Sequence, residues 1–333
     1  MTPKTEQLLQ QAEKVYQKNF TNSCWFERAI FLSWYCALGD CTFCYMSTQK
    51  NKIKNPSKAR RTLSSILAEI LITKKQGWKI EFLSSGYGAY TMEEIFQVVK
   101  LSSIVAKEKL WLNIGYLNEK QIKPLLPYIK GISVSIETVN WKLRKKVCPS
   151  KQIKPLLQTL ELAQKYELKK AITIIVGLGE TIKDINELFK FIKKYNINRV
   201  TFYSLNPHPG TPFTKSPETG YYLQWIAQTR LKFPTLEIVA GSWVSRLEEI
   251  PLVLRAGANA FTKFPALKEL GGKNARKVEQ EIKKSDRKLE GNLSQTKKAN
   301  WKKEIDTLPL EKELKEQILL KLKQYLKRAS TPK

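Results

Sequence analysis

Three cysteines crowd into one short run, Cys36-Ala37-Leu38-Gly39-Asp40-Cys41-Thr42-Phe43-Cys44, with four residues between the first pair and two between the second. Thiolates this close in sequence can each take one iron of a four-iron, four-sulfur cube and leave the fourth iron without a protein ligand. An iron left open in that way is a place where a small molecule binds and reacts. The same run also admits a zinc knot, which wants four closed nitrogen or sulfur ligands. Cys24, Cys148 or the single histidine, His208, would have to supply the fourth. The five cysteines are an odd number, and their clustering favours metal over disulfides.

The 333 residues carry 58 Lys and Arg against 30 Asp and Glu, a net charge of +28, with 42% hydrophobic residues. This excludes disordered, collagen-like and disulfide-scaffold chains, and it supplies a core for two ordinary domains or one large α/β barrel. No run of about eighteen uncharged apolar residues occurs, so no membrane span is expected. The start, MTPKTEQLLQQAEKVYQK, lacks an apolar leader core and predicts an amphipathic helix of a cytoplasmic protein. The basic excess is spread along the chain. It fits a solvated surface or an anionic partner: RNA, an acidic electron donor or an acidic carrier domain.

The elements that would position the cysteines follow from the hydrophobic pattern. Short β-branched or aromatic runs alternate with amphipathic stretches, the pattern of a parallel sheet with crossover helices. Strands are predicted at 29–34, 79–84, 110–115, 132–137, 171–177, 199–205, 236–241 and 259–264. Helices are predicted at 62–75, 91–106, 118–128, 150–166, 181–195, 219–231, 246–256 and 273–287. Eight such units point to a closed (β/α)8 barrel, since closure removes the sheet's edges, with an open doubly wound sheet as the alternative. The unusual polar and glycine-rich clusters fall just after strand ends, where a barrel keeps its chemistry. Residues 1–24 then form an N-terminal helix, 25–290 the barrel and 291–333 a Lys-rich extension. A helix over 308–328 in that extension carries the apolar stripe Leu314, Ile318, Leu322 and Leu326.

The cysteine loop after the first strand of an eight-unit barrel resembles the radical S-adenosylmethionine (SAM) superfamily, with one residue more than the common three-and-two spacing. The resemblance implies a 4Fe-4S cluster on Cys36, Cys41 and Cys44, whose open iron chelates SAM, and reductive cleavage to a 5'-deoxyadenosyl radical. It also implies SAM-binding roles. Phe43 would pack on the adenine, and Ser84, Ser85 and Gly86 would form the turn that receives the amino group. Glu137 would be a carboxylate contacting SAM, while Gly177, Gly179 and Glu180 would support adenine and ribose. Taken singly, the Ser84–Gly88 run reads as an ordinary loop, Glu137 as a surface acid or cap, and Gly179-Glu180-Thr181 as a helix entry.

The runs GLGET, Pro207–Pro212 and Ala256–Asn259 resemble the biotin synthase-like branch, which includes the hydrogenase-cofactor maturases, the methylornithine mutase and the two-protein archaeal-type lipoyl synthase. Lipoyl-type sulfur insertion is the favoured expectation, with a maturase or carbon-skeleton mutase as the alternative. Cys24 and Cys148 are the candidate ligands of a second, auxiliary cluster; the bland reading makes them packed or free thiols. Tyr203, Asn206, Trp243, Arg246 and Lys263, after the later strands, are candidate substrate contacts, and no catalytic residue is singled out. Expected partners are a low-potential donor such as ferredoxin, an acidic lipoyl-type carrier domain and a second radical SAM protein. A competing class is a basic RNA-binding protein whose metal loop is structural; it requires aromatics interleaved with Lys on one exposed surface.

Overall fold

A computed structural model describes residues 2–329. Eight parallel strands form a closed barrel: β1 (Ser23–Phe31), β2 (Lys79–Ser84), β3 (Leu110–Asn113), β4 (Ile129–Glu137), β5 (Lys169–Val176), β6 (Arg199–Ser204), β7 (Glu237–Gly241) and β8 (Ala260–Thr262). Each pairs with the next, and β1 pairs with both β8 and β2, so the eight leave no free edge among themselves. Outward-facing strand residues pack on helices such as Leu63–Gln76 and Met92–Ala106 to form the main core. Inside the barrel a smaller cluster joins Ala29, Phe82, Trp111 and Ala171. This is the expected (β/α)8 architecture.

The departures from expectation have physical causes. β1 begins at Ser23, six residues before the predicted start, because it carries Glu27 and Arg28 in its middle. Glu27 is fully buried and meets Arg199 of β6 across the lumen, a partner that a local reading of the strand does not show. The helix predicted at 118–128 shrinks to Glu119–Ile122 and one 3-10 turn, since Pro124 and Pro127 interrupt its backbone ladder. The helix predicted at 246–256 starts only at Ile250, because Arg246 is not helical. The helix predicted over 273–287 ends at Lys283, and a ninth strand, β9 (Lys288–Glu290), pairs with the first residues of β1.

The N-terminal helix, Pro3–Asn19, lies at the same end of the barrel: Tyr16 donates to Ser23 O (2.9 Å) and Glu13 pairs with buried Arg287 (2.8 Å). The C-terminal helix, Lys312–Ala329, docks on the Leu63–Gln76 helix. Ile318 and Leu322 of the predicted stripe are buried there, and Tyr325 Oη lies 2.6 Å from Ser65 Oγ. Met1 and residues 330–333 of the expected extension lie outside the described residues. Among the described residues no helix is long and apolar enough to cross a membrane.

Candidate active site

The cysteine loop sits between two other loops that fix its path. On one side is the turn after β2, where Ala37 N–H donates to Tyr87 O (2.7 Å). Gly86 makes that approach possible. A Cβ there would stand 2.2 Å from Tyr35 O and 2.8 Å from Cys36 Cβ, so any side chain would push the cysteine loop away. On the other side is the segment after the Trp141–Val147 helix: Thr42 N–H donates to Val147 O (2.9 Å), and Ser150 N–H donates to Asp40 Oδ2 (3.1 Å). The Cys148 thiol lies against that of Cys41. This contact, together with burial, pushes the Cys41 thiol far above its usual range. Burial raises Cys44 to about 11.

The loop forms part of the wall of a cavity of about 430 Å³ at the C-terminal mouth of the barrel. Phe43, Cys44, Tyr45 and Met46 line one side, and Phe31, Phe82, Ile175 and Phe264 make much of the remainder apolar. Polar residues also line it: Glu27, Arg28 and Thr173 from within strands, and Ser84, Asn113, Ser135, Glu137, Tyr203, Ser204, Asn206, His208, Thr262 and Lys263 from near strand ends or the loops after them. Two of them bond to each other, Ser135 Oγ donating to Asn113 Oδ1 (3.1 Å). Glu137 and Lys263 both have left-handed backbones, φ 72° and 71°, an uncommon conformation for non-glycine residues that recurs where structure serves a site.

Four charged side chains, Lys151, Glu137, Glu81 and Lys263, stand at or beneath the cavity beside Glu27 and Arg28 of β1. Lys151 Nζ pairs with Glu137 Oε1 at 2.7 Å, with both side chains nearly buried. Burial pulls the Lys151 ammonium down, but Glu137, Cys41, Tyr87 and Cys148 outweigh it, and its pKa rises. Glu81 enters the lumen through a β-bulge. Arg28 pairs with Ile80 and Ala29 with Phe82, leaving Glu81 as an extra residue. Its oxygens are taken up by the Thr262 hydroxyl (2.5 Å) and the Tyr203 hydroxyl. Burial and Glu81 together hold the Tyr203 phenol well above its ordinary range. Lys263 has no carboxylate within ion-pair distance among the described residues. Its ammonium lies 4.2 Å from the Tyr203 ring centroid and 5.3 Å from that of Phe31, and burial lowers its pKa.

The family model of the Radical SAM superfamily matches residues 32–192, from the end of β1 past the loop after β5. An uncharacterized protein of Methanocaldococcus jannaschii is 41% identical over 312 residues, covering 92% of this chain and 86% of that protein. The chain belongs to the radical SAM superfamily. A biotin synthase of Methanococcus maripaludis is 26% identical over 183 residues, 54% of this chain and 55% of its own length, so the likeness spans about half of each. Among solved structures, methylornithine synthase matches with a TM-score of 0.69 and 21% identity, over 79% of this chain and 78% of its own, a likeness of fold.

The radical SAM cofactors, a 4Fe-4S cluster and SAM, fit the residues present. Cys36, Cys41 and Cys44 are free, half-buried thiols on one loop. Two buried polar atoms of that loop, Asp40 Oδ1 and Thr42 Oγ1, have no hydrogen-bond partner among the described residues. Lys151 places positive charge beside Cys41 and lowers the pKa of its thiol, against the Cys148 contact and burial that raise it. Among the described residues no three His, Cys, Asp or Glu side chains are gathered as a single metal ion needs. The family match makes the chain a radical SAM enzyme instead of an RNA-binding protein whose metal loop is structural.

The sequence-predicted site residues divide into three groups. Phe43, Cys44, Ser84, Glu137, Tyr203, Asn206, Trp243 and Lys263 converge on the cavity. Gly86 supports the cysteine loop from below, while the Ser85 hydroxyl turns back to Gly86 O (3.1 Å). Gly177, Gly179 and Glu180 form the turn after β5, outside the cavity lining. The Glu180 carboxylate accepts from Gly177 N–H (2.7 Å) and Leu178 N–H (2.8 Å), so it holds the turn instead of facing a ligand. Arg246 is likewise spent on structure, bonding Ser204 Oγ (3.0 Å), Thr219 Oγ1 (3.2 Å) and Glu249.

Cys24 and Cys148 do not converge. Cys24 is near the start of β1 and Cys148 beside the loop that follows β1, with about 23 Å of strand between Cys24 and Phe31. Cys24 is a packed thiol that burial pushes up to about 12. The expected auxiliary cluster on these two cysteines has no geometric basis. Sequence reading missed Lys151 and Glu81. Lys151 carries no mark among so many lysines. Glu81, an acid inside the apolar run Ile80–Leu83, was a readable signal.

Proposed function

We propose that this radical SAM enzyme functionalises an alkyl chain held on an acidic carrier domain, with sulfur insertion of the lipoyl type as the reaction. The observation that carries the proposal is the cavity. Beyond Phe43 and Cys44 much of its exposed wall comes from Phe31, Phe82, Ile175 and Phe264, which suits an alkyl chain, and the protein as a whole carries a net charge of +28. SAM on a reduced cluster would supply hydrogen-atom abstraction from an unactivated carbon. Cys36, Cys41 and Cys44 would hold the cluster.

In this reading Phe43 and Glu137 contact SAM, with Lys151 fixing the carboxylate, and Ser84 contributes from the end of β2. Phe31, Phe82 and Phe264 exclude water from the reacting carbon. Tyr203, locked by Glu81, and Asn206, Trp243 and Lys263 position the substrate. Because Cys24 and Cys148 stand apart, the sulfur atom would come from a partner, such as a second radical SAM protein. A ferredoxin-like donor in the cytoplasm would supply the electron.

That same separation favours a second reading, a carbon-skeleton mutase or hydrogenase-cofactor maturase, whose chemistry consumes no auxiliary cluster. Anaerobic reconstitution with SAM and dithionite tests the two. Release of 5'-deoxyadenosine stimulated by an octanoyl-lysyl peptide, with mass gain of sulfur when the partner is added, supports the first. Nucleoside release that the peptide never stimulates removes it.

A further inference from the structure

Between Asp40 and Glu69 the chain has no acidic residue, while Lys50, Lys52, Lys54, Lys58, Arg60 and Arg61 fall in that stretch. Three of the six are engaged at home. Lys50 donates to Leu38 O (2.9 Å), Arg60 pairs with Glu94 (2.6 Å) and Arg61 with Glu69 (2.5 Å). Lys52, Lys54 and Lys58 are exposed and form no ion pair among the described residues. They border a groove of about 700 Å³ whose other walls include Trp34, Tyr45 and Ile53.

Two features make this groove more than a patch of solvated lysines. Trp34 and Tyr45 are large apolar side chains left 46% and 45% exposed, and both also line the catalytic cavity, so groove and cavity are continuous. Trp34 stacks on Phe31 at 5.3 Å between centroids, and Phe31 in turn lies beside the Lys263 ammonium. A line of rings therefore leads from the groove to the lumen. Exposed aromatics beside unpaired like charges are the composition of a recognition surface for a partner of opposite charge.

We propose that this groove docks an acidic protein domain, which threads its tethered acyl chain between Trp34 and Tyr45 into the cavity. The inference rests on the carrier reading above and names its contact surface. Lys52, Lys54 and Lys58 would meet carboxylates of the domain, while Trp34 and Tyr45 pack against the base of the tether. A single-stranded nucleic acid, with bases on the two rings and phosphates on the lysines, is the occupant to be distinguished.

The test is a binding titration of the full chain against an octanoylated, net-negative lipoyl-type domain, alongside a neutral octanoyl-lysyl peptide and a single-stranded RNA oligonucleotide. The triple variant Lys52→Glu, Lys54→Glu, Lys58→Glu is expected to weaken domain binding tenfold or more. The triple Lys→Gln variant should fall between it and the wild type, and added salt should flatten all three. SAM-dependent nucleoside release without substrate shows that each variant is folded. Domain binding that ignores charge reversal overturns the docking surface, even if the peptide remains a substrate. RNA binding lost on charge reversal, with no binding of the domain, also overturns it. A domain that binds in a charge-sensitive way and is never modified leaves the surface standing and removes the sulfur-insertion reading.

Discussion

The two ends of the barrel differ in how far their charges find carboxylates. At the N-terminal end, Arg199 bonds Glu27 through two nitrogens (2.8 and 3.1 Å) and also meets Glu237, while its guanidinium lies 5.0 Å from the Trp111 ring centroid. Burial raises the pKa of Glu27 despite Arg199. Arg287 pairs with Glu13 over the Tyr16 ring. At the mouth Lys151 pairs with Glu137, but among the described residues Lys263 has no carboxylate within ion-pair distance and lies beside the Tyr203 and Phe31 rings, Asp40 Oδ1 and Thr42 Oγ1 have no partner, and Lys52, Lys54 and Lys58 form no ion pair. Charge that meets a carboxylate inside the fold is spent on holding the strands in register. Unpartnered buried atoms occur at both ends among the described residues, Arg199 Nε and Arg287 Nε and Nη1 at one and Asp40 Oδ1 and Thr42 Oγ1 at the other, and those on the cysteine loop lie where a ligand can reach them.

The contrast can be broken by substitution. Cys41→Ala should have the largest effect, abolishing SAM cleavage and the broad visible absorption of the reconstituted protein while leaving its unfolding transition in place. Arg199→Met should do the reverse. It strands Glu27 and Glu237 and should cost about 3–5 kcal/mol in urea denaturation, with SAM affinity per folded molecule unchanged. Glu137→Gln acts at the mouth alone, and weakening of SAM binding by roughly tenfold, about 1.4 kcal/mol, is the expected result in equilibrium dialysis. Cys24→Ala and Cys148→Ala should change least, leaving bound iron per chain at the wild-type value. A drop of several irons in the double variant would revive the auxiliary cluster.

Reading the sequence found the barrel because the apolar runs alternate so regularly: β2 begins and ends where hydrophobicity placed it, at Lys79 and Ser84. It erred where a residue's partner is distant. β1 was shortened because Glu27 and Arg28 look like surface, and their partners are Arg199 and Glu69. The family resemblance makes Glu180 a SAM contact, and the position after β7 makes Arg246 a substrate contact. Their hydrogen bonds go instead to the turn's own amides and to Glu249. Only geometry separates a charge facing a cavity from one folded back on its loop.

The linear pattern alone determined the three neighbouring thiols, the eight strand-helix units and the net positive charge, since spacing, periodicity and composition need no third dimension. The tertiary structure decided which polar groups share a space. It separated Cys24 from Cys148, brought Lys151 to Glu137, turned Glu81 inward through a bulge and joined the groove at Trp34 and Tyr45 to the lumen. These outcomes depend on barrel closure, which brings together side chains far apart in the chain and fixes which of them must satisfy one another.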